Sequence, residues 1–511
     1  MKIAIIPIKT MTIPNEVKTI IQKLRNKDYE AYIVGGCVRD LLRGNEPGDW
    51  DIATNAKPEE IQKIMEKASF KTFYENEFWT VGAVWPKKGK KTGEEYSKKD
   101  IIEITTYRSE AKYTDKRHPD QIKPAKTIEE DLARRDFTVN AIALKIRDRG
   151  GTGEGQSLVD PYGGQEDLKN KIIRAVGDPE DRFSEDALRM LRAVRFATTL
   201  GFTIEEKTSQ AAKKNSPWLQ AISKERIRDE FLKIIMSEKA NEGIELLREL
   251  GLLKYIVPEL EEGYKIGQNK HHIYDCWEHS LLSLKYAAKK GFNQNVRLAA
   301  LFHDIAKPRC KRGEGLDSTF YNHEIVGARM TTQLLDRLRF PKKDIEKITK
   351  LVRYHLFYYN AGEVKEASVR RLVRNVGLEN MEELLEVRMA DRIGSGVPKA
   401  EPYKLRHLKY IVEKVSGDPI SAKMLKINGN DAMKLLGMRP GPKIGQILDI
   451  LLGMVLTDPK KNKKDFLEKE VKKLGKLPEK ELSSLANEAK KGREQIETKK
   501  DEMTKAKYWV T

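Results

Sequence analysis

Apolar positions recur at helical spacing over residues 15–30 and then close up into the apolar run Ala31–Val34, which stops at Gly35-Gly36. The first pattern predicts an amphipathic helix and the second a buried strand ended by a turn. Three more short runs, residues 49–54 (DWDIAT), 78–85 and Ile101–Thr106 (IIEITT), read as strands separated by helical or turn segments. The N-terminal part is therefore predicted to be α+β, built on a small mixed sheet. Residues 87–99 are rich in Lys and Gly and are expected to form an exposed hairpin extension with no catalytic duty. From about Asp167 strand signals fade and helical spacing runs on to the end. Pro217, Pro258, Pro341 and the stretch 394–402 interrupt it and place boundaries near residues 260 and 400. From Asp458 onward Lys and Glu dominate and large apolar side chains are few, a composition suited to surface helices or a fraying end.

At 511 residues the chain exceeds what one hydrophobic core can organise, so several domains are expected. Hydrophobic residues make up 39% and charged residues 34%, which excludes a wholly disordered chain. Lys plus Arg number 96 against 77 Asp plus Glu, a net charge of +19, and this excess favours a polyanionic partner. Three cysteines, Cys37, Cys276 and Cys310, stand far apart and suit neither a disulfide framework nor a zinc finger, so a cytoplasmic setting is expected. The apolar start is too short for a secretory core, and no stretch approaches the ~20 apolar residues of a membrane helix. Neither export nor anchoring is expected, and a second Met at position 11 makes residues 1–10 read as an extension.

The most informative stretch holds Gly35-Gly36, Arg39 and Asp40, followed by Asp49-x-Asp51. On a strand, residues i and i+2 project from one face, so Asp49 and Asp51 are expected to grip the same cation or cation pair. Mg2+ binds through one or two carboxylates together with substrate phosphates, and paired ions stabilise the attacking and leaving oxygens of an in-line displacement. Glu103 is the candidate third carboxylate. Paired glycines let backbone N–H groups approach phosphate, and Arg39 neutralises the same group, which makes a nucleoside triphosphate the natural substrate. Taken singly, Asp-x-Asp is more often a polar strand edge and Gly-Gly a turn. Together, GGCVRDLLRG and PGDWDIAT resemble the signature of the DNA polymerase beta-like nucleotidyltransferases. More narrowly, they resemble the class II tRNA nucleotidyltransferases and bacterial poly(A) polymerases. Four further stretches follow in that family's order: DLARRDFTVNAIAL (131–144), DPYGGQEDLKNKIIRAVG (160–177), EDALRMLRAVRFA (185–197) and ERIRDEF (225–231). The likeness runs from about residue 11 to about residue 470.

This resemblance implies a nucleotidyltransferase head over 11–165, a base-selecting helical neck over 166–258, an HD domain over 259–400 and a basic, helical, tRNA-binding tail over 401–511. The whole is then an α+β head on a long all-α neck, body and tail. It assigns ribose contact to Arg135 and Asp136, base reading to Glu185, Asp186 and Arg189, and bracing to Glu225 and Arg226. Asp186 and Arg189 lie three apart in a helical run and so are expected to share a face. An Asp accepts from N4 of cytosine or N6 of adenine while an Arg donates to the adjacent ring nitrogen. Uracil and guanine present the reverse pattern and leave polar groups unpaired. Spacing alone favours an ordinary ion pair of Arg189 with Asp186 or Glu185; the resemblance favours base reading. Arg192 and Arg195 continue along that helix, to meet phosphate or close intrahelical pairs. The nucleotide-binding set is thus Gly35, Gly36, Arg39, Arg135, Asp136, Asp186, Arg189, Arg192 and Arg195, beside the catalytic Asp49, Asp51 and Glu103.

Between Tyr107 and Glu129 a polar segment (KYTDKRHPDQIKPAKT) occupies the place where CCA-adding members carry a flexible loop that helps switch specificity from C to A. The resemblance therefore implies addition of C, C and A to tRNA from CTP and ATP, with A-only addition or poly(A) synthesis as the alternative. In the helical body His279, His303, Asp304 and Asp391 resemble the HD phosphohydrolases, with His323 and His355 at the place of their second-metal histidines. Imidazole and carboxylate together suit a divalent transition metal such as Mn2+, Ni2+ or Co2+. The resemblance implies phosphatase or 2′,3′-cyclic phosphodiesterase activity for some members and a tRNA-binding body in others. No membrane partner is expected, and the oligomeric state stays open. Two rival classes, a phosphohydrolase with a vestigial head and a non-catalytic RNA-binding module, leave the head motifs unexplained.

Overall fold

Five strands, β1 (Ala31–Val34), β2 (Trp50–Thr54), β3 (Lys71–Glu75), β4 (Thr80–Val84) and β5 (Ile101–Thr106), carry the head. Ile33 pairs with Ile52, Ile52 with Ile104 and Ile104 with Val81, and all four side chains are 0% exposed. β-Branched residues pack well at such cross-strand positions, and each buried side chain contributes about 1.5–3 kcal/mol. Because side chains alternate between faces, Asp51 and Glu103 look the other way. They lie opposite each other in the parallel β2–β5 register.

This is a computed structural model, and it describes residues 12–75, 79–84, 101–111, 121–146, 157–269, 273–416 and 422–510. The N-terminal ten residues, the expected hairpin at 87–99 and residues 112–120 of the polar segment lie outside them. After the hairpin β6 (Arg108–Ala111) and β7 (Gln121–Pro124), strands β8 (Ala143–Lys145) and β9 (Ser157–Val159) complete a seven-stranded sheet. Its order is β3-β4-β5-β2-β1-β8-β9, and its mixed character comes from the single parallel pair, β2 with β5. Helices α1 (Asn15–Arg25), α2 (Gly36–Leu42), α3 (Pro58–Lys67) and α4 (Ile128–Ala133) accompany it. The first helix buries Val17, Ile20, Ile21 and Leu24 and stops at Arg25, short of the expected residue 30.

The neck holds α5 (Gly164–Asn170), α6 (Pro179–Glu185), α7 (Leu188–Leu200), α8 (Glu206–Lys214), α9 (Lys224–Ile235) and α10 (Ala240–Glu249). Strand structure does not end at Asp167 as expected, because β10 (Ile172–Ile173) and β11 (Thr203–Ile204) form a small parallel pair. Two-residue strands leave no periodicity to read. Further helices are α11 (Pro258–Glu261), α12 (Cys276–Lys289), α13 (Gln294–Phe302), α14 (Lys307–Cys310), α15 (His323–Arg337) and α16 (Lys342–Tyr354). Residues 1–355 together with Glu386–Pro398 form one compact unit.

Leu356–Leu385 and residues 399–511 form the second unit. It contains α17 (Glu366–Val376), the first residues of α18 (Met381–Gly394), α19 (Tyr403–Ser416), α20 (Gly429–Leu436), α21 (Pro442–Thr457), α22 (Lys464–Leu474) and α23 (Glu479–Lys507). Ile447, Leu451, Leu467, Val471 and Leu482 are fully buried in its core. The Lys/Glu-rich end is therefore the 29-residue helix α23. Among the described residues no helix is long and apolar enough to cross a membrane.

At the start of α5, a Cβ on Gly164 would stand 2.2 Å from the Thr138 carbonyl oxygen and 2.8 Å from Ile142 Cγ1. Backbone cannot yield as a side-chain tip can, so Gly164→Ala is expected to destabilise the protein by about 2 kcal/mol, read as a lowered urea midpoint at unchanged slope.

Candidate active site and buried histidine cluster

β1 runs into α2 through Gly35, whose φ is +80°. A Cβ there would stand 2.8 Å from Arg135 Nη1 and 3.4 Å from Asp51 Oδ2, so glycine meets both the conformational and the steric demand. Asp51 lies on β2 with Glu103 opposite it. Asp49 is exposed and precedes the strand rather than lying on it, a correction to the shared-strand expectation; the β2–β5 register sets only Glu103 opposite Asp51. Burial pushes the Asp51 carboxyl up to about 7, with Asp49 and Glu103 adding to the rise and Arg135 opposing it. Carboxylates that repel one another at a partly open edge are the donor set a hard divalent cation relieves.

Beside them, three guanidiniums converge on Phe196 of α7, with Arg195 Cζ 3.8 Å, Arg39 Cζ 5.3 Å and Arg192 Cζ 5.4 Å from the ring centroid. Phe137 meets the same ring edge-on at 5.7 Å. Each arginine has a carboxylate: Arg39 Nε donates to Asp40 Oδ1 at 2.9 Å, Arg192 Nε donates to Asp136 Oδ2 at 2.8 Å and Arg195 Nε lies 2.7 Å from Glu230 Oε2. Against its burial, the Arg192 charge and the Asn140 amide hold Asp136 down at about 2. Asp136 is thus an ionised anchor for Arg192, while Arg135 stands beside Asp51 and 3.3 Å from Asp131.

Asp186 and Arg189 do not share a helical run as expected. Asp186 follows α6 in extended backbone (φ −140°, ψ 103°) and precedes α7. Its Oδ1 accepts from the Leu188 backbone N–H at 3.0 Å, and its Oδ2 lies 2.7 Å from Arg226 Nη2. A local bond from an Asp side chain to the backbone two residues on competes with helix continuation, which breaks the pattern that spacing alone suggests. Arg189 is buried; it pairs with Glu185 at 2.5 Å and donates to the carbonyls of Arg182 and Arg134 at 3.2 and 3.0 Å.

The body's six predicted residues come together. His279, His303 and Asp391 form one group, and Asp304, His323 and His355 another, each with ligand atoms within 4.8 Å of one another. Asp304 faces both, with Oδ2 3.0 Å from His279 Nε2 and 3.2 Å from His303 Nε2, and Oδ1 3.2 Å from His323 Nε2 and 3.6 Å from His355 Nε2. His303, His323 and His355 each turn Nδ1 to a backbone carbonyl, of Ala300, Phe320 and Val352, at 2.7–2.8 Å. That bond fixes the tautomer that leaves Nε2 as a lone-pair donor. Burial opposes charge on His303, yet Asp304 and Asp391 lift it to about 10, while burial lowers His355. Lys307 Nζ, 2.6 Å from Asp304, and Arg388 Nη1, 2.5 Å from Asp391, hold the acids from outside; sequence reasoning named neither. His279, His303 and Asp391, and Asp304, His323 and His355, are the residues that would hold divalent metal, which imidazole and carboxylate donors together suit.

Comparison with known proteins bears on the family. Residues 31–174 match the family described as Poly A polymerase head domain, residues 201–263 the probable RNA and SrmB- binding site of polymerase A, and residues 276–394 the HD domain. The A-adding tRNA nucleotidyltransferase of Deinococcus radiodurans is 34% identical over 438 residues, covering 82% of this chain and 90% of that protein. The chain belongs to the tRNA nucleotidyltransferase and poly(A) polymerase family. It is accordingly an enzyme, a nucleotidyltransferase. The CCA-adding enzyme of Ligilactobacillus salivarius is 32% identical over 486 residues, covering 90% of this chain and 99% of the relative. The solved Bacillus stearothermophilus CCA-adding enzyme in complex with CTP superposes with a TM-score of 0.55 at 28% identity, covering 91% and 98% of the two chains. In this nucleotidyltransferase sequence reasoning also missed Phe196, Asn140, Asp131 and Glu230 in the head and neck: the first two are apolar or neutral and carry no spacing signal, and the two acids are seen to hold Arg135 and Arg195 in the folded chain.

Metal analysis by mass spectrometry after loading with Mn2+ tests the histidine cluster. Exchanging both His323→Ala and His355→Ala is expected to lower the content by one ion per chain; unchanged content would remove the second ion from this site.

Proposed function

We propose that this nucleotidyltransferase completes the 3′ end of tRNA, adding C, C and A from CTP and ATP and releasing pyrophosphate. The observation that carries this reading is the gathering of Asp51, Glu103 and Arg135 around Gly35, next to the three arginines on Phe196. Acids to hold a cation and guanidiniums to hold phosphates are what transfer to an α-phosphate requires. Asp49 and Asp51 would hold Mg2+, which supplies charge neutralisation at that phosphate. The chain's own residues orient the triphosphate through Arg39, Arg192 and Arg195, and the tRNA 3′-hydroxyl attacks as pyrophosphate leaves.

Base choice follows from donor arithmetic. Of the five N–H groups of Arg189, three go to Glu185 and the carbonyls of Arg182 and Arg134, which leaves capacity to donate to a ring nitrogen. Asp186, holding Leu188 N–H and Arg226, retains lone pairs for an exocyclic amine. Cytosine and adenine satisfy both groups, whereas uracil and guanine satisfy neither.

A-only addition is the second reading, favoured by the Deinococcus relative, which carries that name. For the body, the buried histidine and aspartate cluster supports a metal-dependent phosphohydrolase acting on phosphate esters, with a 2′,3′-cyclic phosphate at RNA ends as the fitting substrate. Incorporation of labelled CTP and ATP into tRNA transcripts ending before CCA, before the last A, and into unstructured RNA separates the additions. C, C, A and a stop supports the lead reading, A alone on tRNA ending in CC supports the second, and long A tails on any RNA overturn both.

Asp49→Ala and Asp51→Ala are each expected to slow addition about a thousandfold, a loss of about 4 kcal/mol of transition-state stabilisation, with tRNA affinity in filter binding retained. Asp186→Ala is expected to admit UTP and GTP; selectivity kept intact would remove the base-reading role. Binding of tRNA should weaken linearly in log–log against salt, since released counterions drive it.

A further inference from the structure

A recess of 530 Å³ in the first unit adjoins the arginine cluster without including the three carboxylates Asp49, Asp51 and Glu103. Four cations line it: Arg39 and Arg43, one turn apart on and just after α2, Arg195 of α7 and Lys233 of α9. Their acid partners are shared. Asp40 Oδ1 lies 2.9 Å from Arg39 and 3.8 Å from Arg43, and Glu230, buried, lies 2.7 Å from Arg195 and 2.8 Å from Lys233. Two carboxylates divided among four cations leave a surplus of positive charge, and the other acid in the lining is the exposed Glu46. Arg43 is held by its Cζ lying 5.6 Å from the Phe202 ring centroid, so its fork is fixed before any anion arrives.

The recess also lies at a telling distance. Along α7, at 1.5 Å per residue, Arg195 is about 9 Å and Thr199, a further lining residue, about 15 Å beyond Arg189. That is on the order of the length of a nucleoside triphosphate whose base sits at Arg189. A small, preorganised, cationic recess at the far end of such a ligand suits its terminal phosphates, where guanidinium forks and an ammonium make charge-assisted bonds.

We infer that Arg43 and Lys233 form an outer phosphate subsite, which holds the terminal phosphate of the incoming triphosphate and then the pyrophosphate product before it leaves. This rests on the proposed nucleotide addition, because Arg39 and Arg195 face both sites. Glu46, carrying like charge to the anion, limits how long it stays.

The test uses the full-length enzyme and inorganic pyrophosphate, through calorimetric binding in the presence of Mg2+ and the KM for pyrophosphate in the reverse reaction on tRNA ending in CCA. Lys233→Gln alters an exposed side chain and is expected to raise both constants about fivefold, within the range of a partly solvated charge-assisted bond. Arg43→Gln is expected to raise them more, with Arg43→Lys in part restoring them, and Glu46→Gln to lower them about twofold. The KM for tRNA should move less than twofold in all four. Constants for pyrophosphate that stay within experimental error in Lys233→Gln and Glu46→Gln overturn the inference, as does a rise in the tRNA KM instead, which would give the recess to the RNA backbone. Binding is read without turnover, so the two readings fail separately. Lys233-dependent pyrophosphate binding in a protein that adds no nucleotide would defeat the addition alone, and nucleotide addition with Lys233-independent binding would defeat this subsite alone.

Discussion

Between β1 and α2 the backbone passes between a guanidinium and a carboxylate, Arg135 and Asp51, where a Cβ on Gly35 would stand 2.8 Å from one and 3.4 Å from the other. The absence of a side chain allows the positive charge to sit against a half-buried acid that its burial, and then Asp49 and Glu103, push towards neutrality. The same residue, at φ +80°, starts α2 and so sets the direction in which Arg39 and Arg43 project. One turn thus fixes the electrostatics of the carboxylates and the position of the cations that would, under the proposed function, meet a triphosphate. The stripe Ile33, Ile52, Ile104 and Val81 holds the turn rigidly, since any slip of one residue between β2 and β5 would exchange Asp51 with an apolar neighbour.

The two acid-rich sites of the first unit are built for different tasks. In the head, Asp49 is exposed and no imidazole joins the carboxylates among the described residues, an arrangement in which a hard divalent cation, under the proposed function, would keep part of its water shell and bind together with substrate phosphates. In the body, the ligand atoms are buried, three imidazoles are fixed by carbonyls behind them, and Lys307 and Arg388 pin the acids. Such outer partners orient ligands and raise metal affinity. A resident ion suits the second environment and a substrate-borne one the first.

Much of this was legible in the sequence because it is local. Gly-Gly after an apolar run gave β1 and the turn, and the histidine and aspartate positions of the body came together as their order suggested. What stayed hidden depends on contacts between distant segments or on very short elements. Glu103 is a candidate from its strand alone, but the register that sets it opposite Asp51 was not readable; β10 and β11 are two residues long, and the ring of Phe196 looks like any core position in the pattern of α7. Asp186 misled for a definite reason. Helical spacing says nothing about a side chain that bonds back to the Leu188 N–H and ends one helix to begin another.

That break has a functional consequence in the neck. Had Asp186 continued a single helix, it would have competed with Glu185 for Arg189; instead Arg226, from α9, takes Asp186, and Glu185 keeps Arg189. Asp186 and Arg189 are therefore each held by a separate partner and not by each other, so the proposed base reading would not first require breaking a bond between them. Arg189 is buried, and its remaining donors have little water to turn to, so a base that offers an N–H where a ring nitrogen is needed leaves the full desolvation cost unmet. Under the proposed base reading, selectivity would come less from attraction to cytosine and adenine than from the penalty that the preset geometry, held by Arg226, Glu185 and the carbonyls of Arg134 and Arg182, would impose on the other two bases.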